Sequence, residues 1–221
     1  GLHVDTIAVL PSGGAAGFIQ YANDLVMFGW FDSVNNIPAF EIAKWNGTKW
    51  SAFDTTRWLG GGITVATEYN GEFYIGGNMV NYNGTLDRRA RWNGTQWLPV
   101  GNGITGGFGG VGSFEIYNGD LYVGGTFTES DGNPGNCVAC WDGTQWKDAG
   151  EGMTSQYAIV NDLQVYNGEL YAVGNYSSIG DVPVEGIAKW DGIRWCGLNF
   201  QGFPLSNVNA AAVYNGELYI G

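Results

Sequence analysis

Tyr69-Asn-Gly-Glu-Phe-Tyr-Ile-Gly-Gly77 is a stretch that the chain repeats. It returns as Tyr117-Asn-Gly-Asp-Leu-Tyr-Val-Gly-Gly125, as Tyr166-Asn-Gly-Glu-Leu-Tyr-Ala-Val-Gly174 and as Tyr214-Asn-Gly-Glu-Leu-Tyr-Ile-Gly221. An altered copy, Tyr21-Ala-Asn-Asp-Leu-Val-Met-Phe-Gly29, comes before them. The tyrosines at 21, 69, 117, 166 and 214 are spaced 48, 48, 49 and 48 residues apart. Asn-Gly supplies the positive φ of a tight turn, and the alternating apolar residues around it read as two antiparallel strands.

A second signature interleaves with the first: Trp45-Asn-Gly-Thr-Lys-Trp50, Trp92-Asn-Gly-Thr-Gln-Trp97, Trp141-Asp-Gly-Thr-Gln-Trp146 and Trp190-Asp-Gly-Ile-Arg-Trp195. Each period therefore holds two hairpins, hence four antiparallel strands, which is the content of one propeller blade. Helical repeats are excluded because no 3.6-residue apolar spacing occurs and glycine interrupts every run. A β-solenoid has parallel strands and does not need two hairpin turns per coil. The expectation is an all-β chain forming one domain over residues 1–221, a β-propeller of five four-stranded blades. The fifth copy stops after its second strand, so that blade is expected to be incomplete or to be closed by the β-prone segment Leu2–Leu10. Otherwise the ring continues in a longer protein.

Charge and composition exclude several functions. The formal net charge is −12 and the nine Lys and Arg residues are sparse, with Arg88, Arg89 and Arg91 their one close group, so neither nucleic acid nor an anionic membrane is an expected partner. No apolar run approaches the length of a membrane-spanning helix. The start, Gly1-Leu2-His3, reads as a mature or trimmed product. Three cysteines make no disulfide framework, and Cys137-Val-Ala-Cys140 lacks the further ligands of a zinc site. The acidic loop Glu129 to Asn133 lacks calcium-loop spacing, so neither a metal nor another cofactor is expected.

The pattern Tyr-Asn-Gly-Glu-Leu-Tyr-Val-Gly-Gly followed by Ile-Ala-Lys-Trp-Asp-Gly-x-x-Trp resembles kelch and galactose-oxidase-type propellers. It resembles more closely the repeats of large secreted surface proteins of bacteria and of fungal cortical-marker propellers. The resemblance spans nearly the whole chain and implies an extracellular or cell-surface location. It departs from the kelch pattern where the double glycine is broken, at Phe28-Gly29 and Val173-Gly174. The copper site of galactose oxidase needs two histidines and this chain has only His3, so oxidase activity is not carried over. Sequons at Asn46, Asn83, Asn93 and Asn175 are compatible with an extracellular location, although turn chemistry already explains Asn46 and Asn93.

An enzyme should break the repeat at its active site. Asp24, Glu72, Asp120, Glu169 and Glu217 hold the same turn-flanking position in every copy and so serve the blade. Two residues before the tyrosines stand Ile19, Thr67, Glu115, Gln164 and Ala212, with Glu68 and Asp162 nearby. Some five-bladed propellers are glycosidases, so a two-carboxylate site in a central funnel is one alternative. The favoured expectation is a protein that is not an enzyme and has no catalytic residue. The connections between strands 2 and 3, and between successive blades, vary from copy to copy and lie on one face, where binding is expected. The candidate ligand-binding residues there are the aromatics Trp58, Phe108, Tyr157 and Phe203 together with Asn81, Tyr82, Asp131 and Asn133. Flat rings among polar residues suit sugars, and weak sites repeated around a ring gain by avidity. The same rings would equally serve as packing between blades. The chain is thus expected to be a binding scaffold for a glycan or a surface protein, lectin-like or adhesive. The other alternative is a purely structural module of a larger surface or sheath protein.

Overall fold

Asn70 and Gly71 sit at φ 51° and 76° and turn Tyr69 back so that it pairs with Glu72. The same two-residue turn closes Tyr117 on Asp120, Tyr166 on Glu169 and Tyr214 on Glu217, each time with Asn and Gly at positive φ. Positive φ at both central residues matches the twist of the flanking strands, which is why Asn-Gly fixes each hairpin. The computed structural model describes residues 8–81, 86–106, 110–130, 133–134, 136–147, 149–198 and 207–221. For Leu59, Asn81, Asp87, Thr105, Glu129, Ser130, Asn133 and Pro134 it describes the backbone alone.

The tryptophan signature forms a different hairpin. Trp45 pairs with Trp50 across four residues, and Asn46 Oδ1 accepts from the backbone N–H groups of Thr48 and Lys49, both at 3.0 Å, and from the Thr48 hydroxyl at 2.8 Å. Asn93, Asp142 and Asp191 each accept the equivalent pair of backbone bonds in their own turns. Gly47, Gly94, Gly143 and Gly192 follow at φ between 93° and 96°, and at Gly47, Gly94 and Gly192 nothing lies near a would-be Cβ. There the backbone angle alone demands glycine.

The chain divides into two units, Gly1–Leu98 and Pro99–Gly221. The first holds two four-stranded antiparallel sheets. One has the order Gly14–Tyr21, Asp24–Trp30, Ile42–Trp45, Trp50–Ala52, and the other Trp58–Tyr69, Glu72–Asn81, Asp87–Trp92, Trp97–Leu98. Their facing sides share one core, in which Val26, Phe28 and Ile42 meet Phe73, Ile75 and Ala90. Residues 8–10, the described part of the segment expected to close the last blade, form no strand. Val9 exchanges hydrogen bonds with Asn35 instead, its N–H reaching Asn35 Oδ1 and its carbonyl accepting from Asn35 N.

The second unit holds two more such sheets and a hairpin. The third sheet runs Val111–Tyr117, Asp120–Gly125, Val138–Trp141, Trp146–Lys147, and the fourth runs Ile159–Tyr166, Glu169–Asn175, Ile187–Trp190, Trp195–Gly197. The hairpin Ala211–Tyr214 with Glu217–Ile220 is the fifth copy. Leu121 to Gly125 are all buried, as are Leu170 to Gly174. A strand covered on both faces by neighbouring layers reads as a continuous apolar run rather than an alternating one. Each tryptophan pair meets within its own hairpin, with centroids 5.2 Å apart for Trp141 and Trp146 and 5.3 Å for Trp190 and Trp195. Among the described residues there is no helix, so none is long and apolar enough to cross a membrane.

The connections between strands 2 and 3 are more regular than their sequences suggest. Ser33–Val34 pairs with Ile37–Pro38, Glu129–Ser130 with Asn133–Pro134, and Ser178–Ile179 with Val182–Pro183. Three of the four connections read as variable loops therefore carry a small hairpin of their own. In the second sheet the strand itself runs on instead, and Trp58 pairs with Asn81.

Candidate functional site

In the second unit, the connection after Gly125 and the connection into Ile159 lie together and enclose a cavity of about 410 Å³. Its walls are Thr126–Thr128, Asn136–Cys137 and Met153–Ala158. This volume falls in the range of small-ligand sites. Phe127, Cys137 and Met153 are buried and give it an apolar floor, while Thr128, Gln156 and Tyr157 are exposed at its rim. No lining residue carries a carboxylate, ammonium or guanidinium group. Burial pushes the Cys137 thiol up to about 12, so it stays protonated and donates to Ala158 O at 3.2 Å.

Backbone bonds hold the walls in place. Cys137 N donates to Phe127 O, Asn136 N to Thr128 O and Met153 N to Asn136 O, tying the two connections together. Cys137 itself sits at φ 72°, matched by Glu41 at 66°, Arg88 at 61° and Gly186 at 65° in the other sheets. The carbonyls of Glu41, Cys137 and Gly186 accept from Gly29, Gly125 and Gly174, so this backbone angle belongs to the repeat. Tyr157 is another matter. It occupies the third place of the turn Ser155–Ala158, closed by Ala158 N donating to Ser155 O at 3.1 Å, with φ 62°.

Among the described candidate residues, Tyr157 is the one that lines this cavity, and it is 71% exposed. Trp58 lies in the first unit at 2% exposure, edge-on to Trp97 with centroids 5.3 Å apart, which is the packing role. Asn81 ends a second strand and Asn133 lies in a short hairpin, with the backbone alone described. Phe108, Tyr82, Asp131 and Phe203 lie outside the described residues, as does His3. The remaining wall residues were not anticipated. The polar ones are ordinary threonines, a serine and amides, and nothing in their spacing marks them.

Two carboxylates on the first strands, Glu115 and Asp162, are engaged with neighbouring strands. Glu115 Oε1 accepts from Val165 N at 3.0 Å. Burial raises its carboxyl above the usual range, against the pull of that N–H, and the nearby Asp162 charge adds to the rise. Asp162 Oδ1 accepts from the Ser113 hydroxyl and its Oδ2 from Ala211 N, both at 3.0 Å. Three consecutive first strands are thus stitched through one side chain. Glu68 is an exposed residue of the first unit. The three cysteines are free, and among the described residues no three His, Cys, Asp or Glu side chains gather as a metal site would need.

No family model matches the chain, and no curated protein does. Solved structures do. One is the extracellular domain of a protein described as a one-component system of B. thetaiotaomicron, with a TM-score of 0.54 at 10% identity. The match covers 94% of this chain and 25% of that one, so this chain spans about a quarter of its length. Another is the computationally designed Ika8 protein, with a TM-score of 0.48 at 13% identity over 95% of this chain and 68% of that one. At 10% identity, the likeness to the bacterial domain is one of all-β fold.

Proposed function

We propose that this chain is an extracellular, non-catalytic binding module, a kelch-like β-propeller of five blades that presents its 2–3 and blade-to-blade connections to a glycan or protein ligand. The cavity between Thr126–Thr128 and Met153–Ala158 carries the reading, because it opens where those connections meet and is floored by apolar side chains. The four sheets of four antiparallel strands, with neighbours stacked within each unit, support the blade assignment. Fold likeness to an extracellular domain supports the location. Glu115 and Asp162 hold strand N–H groups, which favours a seam-tying role over an acid and base pair.

The test is an array of immobilised oligosaccharides and extracellular proteins probed with the purified chain. Thr128→Trp crowds the cavity rim, whereas Ile193→Trp alters an exposed turn between strands 3 and 4, at the other end of the fourth sheet. The expected result is saturable binding that Thr128→Trp abolishes and Ile193→Trp leaves intact. No binding by folded protein, or equal loss in both variants, overturns the proposal.

A further inference from the structure

Tyr157 occupies a place that suits glycine or asparagine. In a turn closed between Ser155 and Ala158, the third residue at φ 62° is in the left-handed region, where a bulky side chain is strained. The residue recovers little by packing, being 71% exposed, and its hydroxyl makes no hydrogen bond to any described residue. Neither the backbone nor the core accounts for a tyrosine here. A strained aromatic at the mouth of a cavity points to a ligand.

The polar groups inside the cavity narrow the chemistry. Thr126 Oγ1 accepts from Gly110 N at 3.0 Å and Ser155 Oγ accepts from Ser177 N at 3.0 Å, so each hydroxyl is fixed in place with its own proton still to give. Asn136 spends its Nδ2 on Glu151 O at 2.6 Å, which leaves Oδ1 free to accept. Two anchored donors and one anchored acceptor match ligand hydroxyls, which accept and donate at once. Phosphate, sulfate or carboxylate would find no cationic partner among the lining residues and would meet a chain of net charge −12.

We propose that this cavity binds an uncharged sugar ring, its C–H face on Tyr157 and its hydroxyls on Thr126, Ser155 and Asn136. The inference rests on the binding-module reading and adds the ligand class. The apolar floor of Phe127 and Met153 takes the part of the ring that water would otherwise cover.

The experiment uses the whole chain on an array of neutral gluco-, galacto- and manno-oligosaccharides with sialylated and sulfated counterparts, alongside extracellular proteins. Tyr157→Gly and Tyr157→Phe are compared for affinity and melting temperature. The expected outcome is binding to neutral glycans, weakened roughly tenfold or more by Tyr157→Gly and largely kept by Tyr157→Phe. The glycine variant should melt at the same temperature as the parent or higher, since it relieves the turn. A destabilised Tyr157→Gly with unchanged binding makes the ring structural and overturns the proposal, as does binding confined to acidic glycans. A protein ligand lost in Thr128→Trp, with no glycan signal, overturns the sugar and leaves the binding module standing. Silence on both arrays overturns both.

Discussion

The Ser113 hydroxyl donates to Asp162 Oδ1 at 3.0 Å, joining equivalent positions of two neighbouring sheets, each four residues before its tyrosine. The same position holds Gly17, Val65 and Ala210 in the other copies, so the repeat does not require the pair. Asp162 Oδ2 takes Ala211 N as well, which gives the terminal hairpin a fixed place beside the fourth sheet. Asp162→Ala leaves the Ser113 hydroxyl and the Ala211 N–H without their acceptor and should cost about 2–3 kcal/mol. Asp162→Asn keeps one carbonyl oxygen and should cost about half as much. Urea unfolding reads the totals, and faster hydrogen exchange at Ala211 N reads the local loss. Exchange at Ala211 unchanged in Asp162→Ala would mean that the hairpin is held by packing alone.

Trp195 Nε1 donates to Ala149 O at 2.7 Å, and Trp146 Nε1 to Val100 O at 3.2 Å. In the third and fourth sheets the second tryptophan of the signature thus satisfies a carbonyl of the segment that leads into its own sheet, whereas Trp97 Nε1 donates to the Asp54 carboxylate at 2.9 Å. Trp195→Phe keeps an aromatic beside Trp190 but strands the Ala149 carbonyl, for a loss of about 1–2 kcal/mol. Trp195→Ala opens a cavity too and should lose about 3–5 kcal/mol. Trp146→Phe should cost less than Trp195→Phe, because its bond is longer. Denaturation of the three variants orders them, and a Trp195→Phe protein as stable as its parent removes the hydrogen bond from the account.

How far the chain can be read before folding depends on the range of the interaction. The tyrosine hairpins are legible because Asn70-Gly71 and its copies set their own backbone angles. The small hairpin Ser33-Val-Asn-Asn-Ile-Pro38 has a counterpart in Ser178-Ile-Gly-Asp-Val-Pro183, and the different turn residues hide the likeness in the sequence. Trp58 and Tyr157 look alike in sequence, yet one is buried and the other exposed, since packing by distant strands decides burial. The cavity is invisible for the same reason. Its walls come from segments far apart in sequence, and threonine, serine and asparagine are unremarkable in any loop. The break of symmetry at Glu115 and Asp162 is visible in the residues, but their bonds to Val165 and Ala211 require knowing which strands are neighbours.

Trp58 fills core space with a polar handle that finds no use. The residue is 2% exposed, and its Nε1 is buried without an acceptor among the described residues. Trp58→Phe removes that unsatisfied donor and keeps an aromatic edge against Trp97, so stability should hold or rise. Trp58→Ala empties the site and should lose about 3–5 kcal/mol. Thermal melts decide. A Trp58→Phe protein that is strongly destabilised shows that the indole N–H has a partner after all.

Glu41 makes the first unit sensitive to pH. The residue is 8% exposed, and its Oε2 is buried with no hydrogen-bond partner among the described residues. Burial, helped by the nearby Asp32 charge, raises its carboxyl from 4.5 to about 7. The folded state therefore holds this proton more tightly than the unfolded chain does. The stabilisation is complete below the unfolded value, shrinks as the pH climbs from about 4.5 to about 7, and is gone above that. At 1.36 kcal/mol per unit, the swing is on the order of 3 kcal/mol. Glu41→Gln carries no such proton. Its melting temperature should match the parent near about pH 4 and exceed it near about pH 8, so the two curves diverge as the pH rises. Parallel curves would show that Glu41 ionises without cost, with a solvated carboxylate in place of a buried one.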